Sequence, residues 1–251
     1  MRKILIAIDG PAGSGKSTTA KLVAEKLGYV YVDTGAMYRA ITLRVLNSNI
    51  DPSNRDEVEK AAENSSVVLN DGTGNFRVML DGKDVTEEIR SEDVTKNVSL
   101  ISSYPGVRRI MVNKQREIGE GKGCVLDGRD IGTVVFPDAD LKIFLVADVM
   151  ERARRRQEEL STSGKELPLV QVVRELKERD RKDSTREMSP LRKADDAIEI
   201  DTTNLTIAKQ VETVLNYAHE ILAVSETHPH VGKSEIRHQV ETTKGSLGER
   251  K

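Results

Sequence analysis

Residues 10–17 of this chain read GPAGSGKS, and they follow an apolar run at residues 4–8 after a single aspartate. The apolar run is typical of a parallel strand that is buried on both faces, and helical periodicity begins at about residue 16. The eight residues match the pattern G-x-x-x-x-G-K-[ST] in full, and the strand before them and the helix after them supply the expected context. The sequence therefore predicts a loop whose backbone N–H groups hold a phosphate at the N-terminus of a helix.

The loop also predicts the roles of two side chains. Lys16 can bridge the β- and γ-phosphates of a nucleotide, and the hydroxyl of Ser17 can bind Mg²⁺. The alternative is an ordinary glycine-rich turn at a helix N-terminus, which does not account for the full match. Because a phosphate loop indicates nucleotide binding and not a particular reaction, a GTPase, a helicase, an ATPase and a small-molecule kinase all remain open.

The positions of histidine and cysteine limit the chemistry that the chain can perform. All four histidines lie at or beyond residue 219, and Cys124 is the single cysteine in 251 residues. The sequence therefore excludes an intrachain disulfide, and in its first 218 residues it excludes a histidine-dependent triad and a His-ligated metal site. We expect Cys124 to be a buried packing residue rather than a nucleophile.

Charge balance and hydropathy argue against two classes of partner. The formal net charge is −2, which gives no overall basic character for binding nucleic acid. No apolar stretch approaches the roughly 18 residues of a spanning helix, and the N-terminal run is shorter than the roughly 7–15 apolar residues of a signal peptide. We therefore expect a cytoplasmic protein with no nucleic-acid partner and no membrane partner.

The order of strand and helix patterns predicts an α/β sheet with an insertion. Strand patterns at residues 124–127 and 141–147 resume an alternation that begins at the N-terminus. Residues 66–85 differ, because two β patterns flank the turn NDGTGN and a third short one follows, as in an antiparallel meander. We interpret residues 63–103 as a small inserted domain, with a decorated surface loop as the alternative.

The rest of the chain divides into a core and a tail. The core domain is predicted at residues 1–62 and 104–224. Residues 225–251 are mostly polar and have no sustained periodicity. Because such a segment buries little apolar surface, we expect a flexible tail outside the fold.

Two further motifs follow predicted strands. DTGAMYR at residues 33–39 enters a helix, where an arginine and a hydroxyl can face a second phosphate, although Asp-Thr-Gly is also often a plain helix cap. DGRDIGT at residues 127–133 places a carboxylate–arginine–carboxylate cluster after the strand at 124–127. Ligands of parallel sheets bind at the carboxyl ends of strands, so this cluster is well placed for chemistry. An exposed turn with paired charges is the alternative.

A third motif is a concentration of arginines, namely Arg152, Arg155, Arg156, Arg179, Arg181 and Arg186. Guanidinium groups can neutralise the charge that phosphoryl transfer spreads over oxygen atoms while a closing segment excludes water. We interpret residues from about 152 to 170 as a lid. For any single arginine, a solvated helix with Arg–Glu pairs at four-residue spacing is the alternative.

Together these motifs resemble the bacterial cytidylate kinases over residues 3–222. The most specific segments are IDGPAGSGKS at 8–17, DTGAMYR at 33–39, DGRDIGTVVFPDA at 127–139 and KERDRKD at 177–183. The resemblance implies a P-loop nucleoside-monophosphate-kinase core, with a five-stranded parallel sheet flanked by helices. It also implies a small antiparallel β insert as the monophosphate-binding domain, and a short lid. The implied reaction is the Mg²⁺-dependent, in-line phosphorylation of CMP and dCMP by ATP to CDP and dCDP.

The resemblance also implies a role for each matching residue. ATP would be held by Gly10, Pro11, Ala12, Gly13, Ser14, Gly15, Lys16, Ser17 and Thr18. CMP would be bound at its phosphate, its base and its sugar by Thr34, Arg39, Ser99, Arg108, Arg129, Asp130, Asp183 and Arg186. The catalytic side chains would be Lys16, Arg152, Arg155 and Arg156. Ser17 would bind the metal ion, with Asp127 acting through a water molecule.

Within the CMP site the implied roles divide three ways. Arg39 and Arg108 would grip the phosphate, with Thr34 close by. The cytosine would be read by Ser99, Arg129 and Asp130. The sugar hydroxyls would be held by Asp183 and Arg186.

Two rival functions stay open at this point. The nearer one is another small-molecule P-loop kinase, for adenylate, uridylate or a metabolite such as shikimate. The other is a nucleotide switch or nucleic-acid ATPase, whose arginines would bind a phosphate backbone. The net charge of −2 and an aromatic content of 3% count against the second rival, because base stacking needs aromatic side chains. The expected substrates are ATP and CMP or dCMP, and the expected state is a monomer.

Overall fold

The computed structural model describes residues 3–70, 76–121, 123–162 and 164–227. In chain order the strands are β1 (Leu5–Asp9), β2 (Val30–Asp33), β3 (Val67–Asn70), β4 (Arg77–Leu80), β5 (Lys83–Asp84), β6 (Cys124–Gly128), β7 (Leu141–Val146) and β8 (Ile198–Asp201). The α-helices are α1 (Lys16–Leu27), α2 (Thr34–Asn47), α3 (Arg55–Glu63), α4 (Glu92–Ile101), α5 (Pro105–Gly119), α6 (Val149–Thr162), α7 (Leu169–Thr185) and α8 (Ile207–Thr227).

A five-stranded parallel sheet lies at the centre, in the order β2–β6–β1–β7–β8. Every residue of β1 and β6 is buried, as the continuous apolar runs predict for strands covered on both faces. Ile6 and Ile8 pack towards α1 and α8, whereas Leu5 and Ala7 face α5. The predicted α/β fold with a five-stranded parallel sheet is confirmed.

The loop between β1 and α1 has a backbone that requires glycine. Gly10 has a φ of 154°, and a Cβ atom there would lie 2.3 Å from the carbonyl oxygen of Leu145. Gly15 precedes α1 with a φ of 86°, in the left-handed region that glycine tolerates. The glycines of the motif are therefore needed for the path of the chain as well as for any ligand.

The antiparallel segment forms a second sheet in the order β3–β4–β5. Val67 pairs with Leu80 and Leu69 with Val78, and the turn at residues 71–75 lies outside the described residues. Side chains of this sheet and of α4 share one apolar cluster with α2, α3 and α5. The insert therefore packs on the neighbouring helices through a continuous apolar core. The predicted domain boundaries at residues 63 and 103 stay a prediction.

Helices α3 and α5 are absent from the elements that the sequence predicts. Helix α3 buries only Val58 and Ala62, and apart from Ala61 its other residues are charged, so the segment offers few apolar positions. Start signals were present in both cases. The side chain of Asn54 accepts a hydrogen bond from the backbone of Glu57, and Pro105 occupies the first position of α5.

The predicted arginine-rich helices are present as α6 and α7. They pack together around Ala153, Val172 and Leu176, and Ala12 of the phosphate loop joins the same cluster. Helix α8 extends to Thr227, three residues into the segment predicted as a tail, and residues 228–251 lie outside the described residues. Within the described part of the chain, no helix combines the length and the apolar character of a membrane span.

Candidate active site

A cleft opens at the carboxyl ends of β2 and β6, between α1, α2, α4 and α7, with about 610 Å³ of empty space. Lys16 and Ser17 line one end of it. All eight predicted CMP-binding residues line the rest, namely Thr34, Arg39, Ser99, Arg108, Arg129, Asp130, Asp183 and Arg186. Five separate sequence segments therefore converge on one site.

Ser17 and Asp127 form the oxygen-rich end of the cleft. The Ser17 hydroxyl donates a hydrogen bond of 2.7 Å to Oδ2 of Asp127, and the Tyr31 hydroxyl donates one of 2.9 Å to Oδ1. Burial and the nearby Asp33 raise the pKa of Asp127 to about 6, although Lys16 and the two hydroxyl groups oppose this. A bound cation would favour the ionised carboxylate, so the raised pKa indicates a site suited to positive charge.

Lys16 lies beside this pair. Its side chain is 7% exposed, and its ammonium donates a hydrogen bond of 3.3 Å to the carbonyl oxygen of Pro11 in its own loop. Burial and the nearby Arg129 lower the pKa of Lys16 to about 7. An anionic ligand in the cleft would restore the charged form of the amine, which is the state that stabilises a phosphate.

Asp130 is held between two arginines at the opposite end. Arg108, which is 1% exposed, donates hydrogen bonds to Oδ2 of Asp130 and, at 3.1 Å, to the carbonyl oxygen of Ser102. Arg186 lies 3.7 Å from Oδ1 of Asp130. The guanidinium of Arg108 also lies 5.2 Å from the ring centre of Tyr38, at cation–π distance. The position of Asp130 is therefore fixed by two neighbouring guanidinium groups.

Arg129, the residue after β6, forms an ion pair with Asp183 of α7. The Arg129 Nε donates a hydrogen bond of 2.9 Å to Oδ2 of Asp183. Although burial tends to raise the pKa of Asp183, the neighbouring arginines, Arg129 first among them, hold it below its usual value. The carboxylate is therefore ionised at neutral pH and can accept hydrogen bonds from a ligand.

Arg39 and Arg179 line the cleft with positive charge. Among the described residues, no carboxylate forms an ion pair with either of them. Both line the cleft, and the Nε of Arg179 is buried without a hydrogen-bond partner among the described residues. Burial, followed by repulsion from Arg129 and Arg39, lowers the pKa of Arg179 to about 9. Keeping like charges together in a partly dry site costs free energy, which an anion between them would recover.

Comparisons with known proteins identify the family of the chain. The family model for cytidylate kinase matches residues 6–220. The chain belongs to the cytidylate kinase family. Membership makes the protein a phosphotransferase of the kinase class, and it implies ATP as the phosphate donor.

Curated relatives are similar along nearly all of their length. The cytidylate kinase of Halalkalibacterium halodurans is 49% identical over 88% of this chain and 99% of that protein. The one from Caldicellulosiruptor saccharolyticus is 50% identical over 88% of this chain and 98% of that protein. The one from Caldanaerobacter subterraneus subsp. tengcongensis is 54% identical over 84% of this chain and 92% of that protein.

The three lid arginines do not line the cleft. Arg152 is buried, where it donates a hydrogen bond of 3.0 Å to the carbonyl oxygen of Ala12 and pairs with Asp180 at 2.8 Å. Arg155 donates one of 2.7 Å to the carbonyl oxygen of Thr202. Arg156 pairs at 2.9 Å with Glu159, three residues away, and Arg155 pairs at 3.1 Å with Glu151, at the four-residue spacing of the alternative. A catalytic role for these three residues in this family member stays a prediction.

Several residues of the site carry no role in the sequence prediction. Arg179 belongs to the arginine concentration, but nothing in its spacing distinguishes it from Arg181. Asp33 caps α2 by accepting a hydrogen bond of 2.8 Å from the backbone N–H of Ala36, so the helix-cap interpretation is right, and the same residue also lines the cleft. Tyr31 gives no local signal, because it reads as an ordinary strand residue.

Proposed function

We propose that the protein transfers the γ-phosphoryl group of ATP to CMP and dCMP, giving ADP and CDP or dCDP. The observation that carries the proposal is the position of Arg39 and Arg179. These unpaired arginines lie in the same cleft as Lys16 of the phosphate loop and Asp130 of the opposite end. A cationic centre between a nucleotide loop and a polar pocket suits transfer between two phosphates.

The donor side is formed by the phosphate loop. Residues 10–18 would hold ATP through backbone N–H groups at the N-terminus of α1. Mg²⁺ prefers oxygen ligands and usually keeps several waters, binding through one or two protein oxygens and the substrate phosphates. Ser17 and Asp127 present two such oxygens 2.7 Å apart, so they fit a magnesium ion held by Ser17 with Asp127 through water. When bound, the ion would supply neutralisation of phosphate charge.

The acceptor side is formed by residues of α2, α4, α5 and α7, by the two residues that follow β6 and by Arg186, which follows α7. Arg39, Arg108 and Thr34 would position the CMP phosphate, although the Thr34 hydroxyl already donates to the carbonyl oxygen of Asp127 at 2.7 Å. The base would face Ser99, Arg129 and Asp130, and the sugar would face Asp183 and Arg186.

In the transfer step, an oxygen of the CMP phosphate forms a bond with the γ-phosphorus in line with the bond to the leaving oxygen of ADP, which breaks. The attacking phosphate is already anionic, so no general base is needed. Lys16 and Arg179 would neutralise charge on the transferred group, and Arg152, Arg155 and Arg156 would assist from the lid. Catalysis in this proposal is positioning plus charge neutralisation. The proposal includes action as a cytoplasmic monomer without a nucleic-acid partner.

A phosphoacceptor panel tests this function. Purified protein is given ATP and Mg²⁺ with CMP, dCMP, UMP, AMP or shikimate in turn, and ADP is detected by a coupled assay. We expect the highest kcat/KM with CMP or dCMP. A higher value with AMP, UMP or shikimate would replace the proposal by one of its rivals, as would ATP hydrolysis that depends on added RNA or DNA.

A further inference from the structure

Asp9 is a buried carboxylate that the transfer step does not use. It ends β1 next to the phosphate loop and is 4% exposed. Its Oδ1 accepts a hydrogen bond of 2.9 Å from the backbone N–H of Ile131, and its Oδ2 accepts one of 2.7 Å from that of Gly132. Burial raises the pKa of Asp9 to about 7, and the two N–H groups oppose that rise. A carboxylate in this position must contribute something that offsets its cost of burial.

The two N–H groups belong to the turn that follows Asp130. Residues Ile131–Val135 form a short π-helical stretch, and Asp130 stands at its N-cap position. An aspartate at an N-cap ordinarily folds back so that its side chain accepts a hydrogen bond from the first turn. Here the Asp130 side chain makes no such bond. Asp9, which lies 122 residues away along the chain from Ile131, takes both donors instead.

The consequence is that the Asp130 carboxylate faces side chains of the cleft. Because Asp9 satisfies the turn, the oxygens of Asp130 face Arg108 and Arg186 rather than their own backbone. Building on the proposed function, we propose that Asp9 is a positioning residue for base selection: it caps the turn in place of Asp130 and so keeps Asp130 aimed at the pyrimidine.

The variant Asp9→Asn tests this role. An asparagine keeps the shape but can accept from only one of the two N–H groups, and it sets its own N–H₂ against the other. The unsatisfied donor would then compete for the Asp130 carboxylate. We expect the KM for CMP to rise at least about fivefold, with a smaller change for UMP, so that the CMP/UMP ratio of kcat/KM falls. The kcat at saturating CMP should change by less than about threefold.

Asp140→Asn is a matched control, because Asp140 lies just before β7 and binds the backbone at the opposite end of β1 from Asp9. Asp140 is 3% exposed and accepts a hydrogen bond of 2.9 Å from the backbone N–H of Leu5. The same chemical change there should lower the melting temperature without changing the CMP/UMP ratio. An equal fall of the ratio in Asp140→Asn would overturn the inference, because it would trace the effect to general loosening of β1.

A double variant separates positioning from a merely structural role. If Asp9 acts through Asp130, Asp9→Asn should leave the CMP/UMP ratio unchanged once Asp130→Asn is present, although it should still lower stability. Additive effects on the ratio would count against the inference. So would a rise in the KM for ATP as large as that for CMP, since this would place the effect in the phosphate loop.

Asp9→Ser provides a second test if Asp9→Asn does not fold. Serine is smaller than aspartate, carries no charge and keeps one acceptor oxygen. The CMP/UMP ratio of kcat/KM should therefore fall in Asp9→Ser, as in Asp9→Asn. An unchanged ratio in a folded Asp9 variant overturns this inference alone, because the wild-type preference would stand. Absence of CMP phosphorylation in the wild-type protein would instead overturn the proposed function.

Discussion

The hydroxyl of Ser17 donates a hydrogen bond of 2.7 Å to Asp127, a residue 110 positions further along the chain. The contact joins the first turn of α1 to β6, and Tyr31 of β2 holds the other oxygen of the same carboxylate at 2.9 Å. Two strands of the central sheet and its first helix thus define one oxygen-rich corner. This corner is where we propose that the metal ion is held.

Asp127→Asn should therefore weaken the metal site. The amide has one acceptor oxygen for the two hydroxyl donors and carries no negative charge, so we expect the Mg²⁺ concentration for half-maximal rate to rise by about 10–100-fold. Mn²⁺ binding in the presence of ADP, followed by electron paramagnetic resonance, should weaken in parallel. Asp140→Asn serves as the control. An unchanged Mg²⁺ dependence would show that Asp127 does not support the ion.

Lys16→Ala should remove charge stabilisation from the transfer step. We expect kcat to fall by roughly 10²-fold or more, which is the scale on which single stabilising donors act. Lys21, which is exposed on the next turn of α1, provides the control, and Lys21→Ala should keep nearly full activity. Steady-state kinetics with CMP measures both, and near-wild-type turnover in Lys16→Ala would remove Lys16 from the mechanism.

Asp130→Asn should alter the choice of base. Cytosine presents an amino donor where uracil presents a carbonyl acceptor, so a carboxylate attracts the first and repels the second. We expect a loss of about 1–3 kcal/mol on CMP and a fall of the CMP/UMP ratio of kcat/KM by at least about tenfold. Equal losses on the two substrates would show that Asp130 is not a base reader.

The same substitution should lower stability. It leaves Arg108, which is 1% exposed, without its negative partner. Losing one partner of a buried pair costs about 3–5 kcal/mol, because the remaining charge stays buried. Chemical denaturation of Asp130→Asn against wild type measures this cost, and activity assays should therefore be run well below the variant's melting temperature.

Arg179→Met should affect stability and activity in opposite directions. Since Arg179 lies among like charges with its pKa lowered to about 9, removing its charge should raise the melting temperature by about 2–4 °C. The kcat/KM for CMP should fall by about 10²-fold or more. Arg181→Met, on the exposed side of the same helix, should change neither the melting temperature nor kcat/KM, because Arg181 forms a surface ion pair with Glu178 at 2.8 Å. A less stable and fully active Arg179→Met would contradict the proposal.

Cys124 should be unreactive in the folded protein. It is 1% exposed, and burial raises the pKa of its thiol to about 11. The thiolate is the reactive form, and its fraction at pH 8 falls about tenfold for each unit of rise, so alkylation should be at least about 100-fold slower than in denaturant. Rapid alkylation of native protein by iodoacetamide, followed by mass spectrometry, would show that the strand opens.

Local patterns were sufficient for the elements that carry their own signal. The apolar run of β1, the glycines at 10, 13 and 15, and the meander around β3 and β4 each depend on residues close in sequence. Local patterns missed α3, which is short and has only three apolar residues, and α5, whose buried face includes the polar residues Arg108 and Gln115. Local patterns also failed to single out Arg179. Arg179 lies on the side of α7 that faces the cleft and Arg181 on the exposed side, and the sequence alone does not show which side that is.

The sequence by itself determined the phosphate loop, the alternating α/β order and the family resemblance, because each depends on residue types at fixed short spacings. Only the tertiary structure decided which charges meet. The pairing of Arg108 with Asp130 and the capping of the turn at Ile131 by Asp9 depend on how distant strands and helices pack. The spacing of residues along the chain determines which way each side chain points within its own helix or strand. The partner of Asp9 lies 122 residues away, and it comes close because β1 and β6 are neighbours in the sheet.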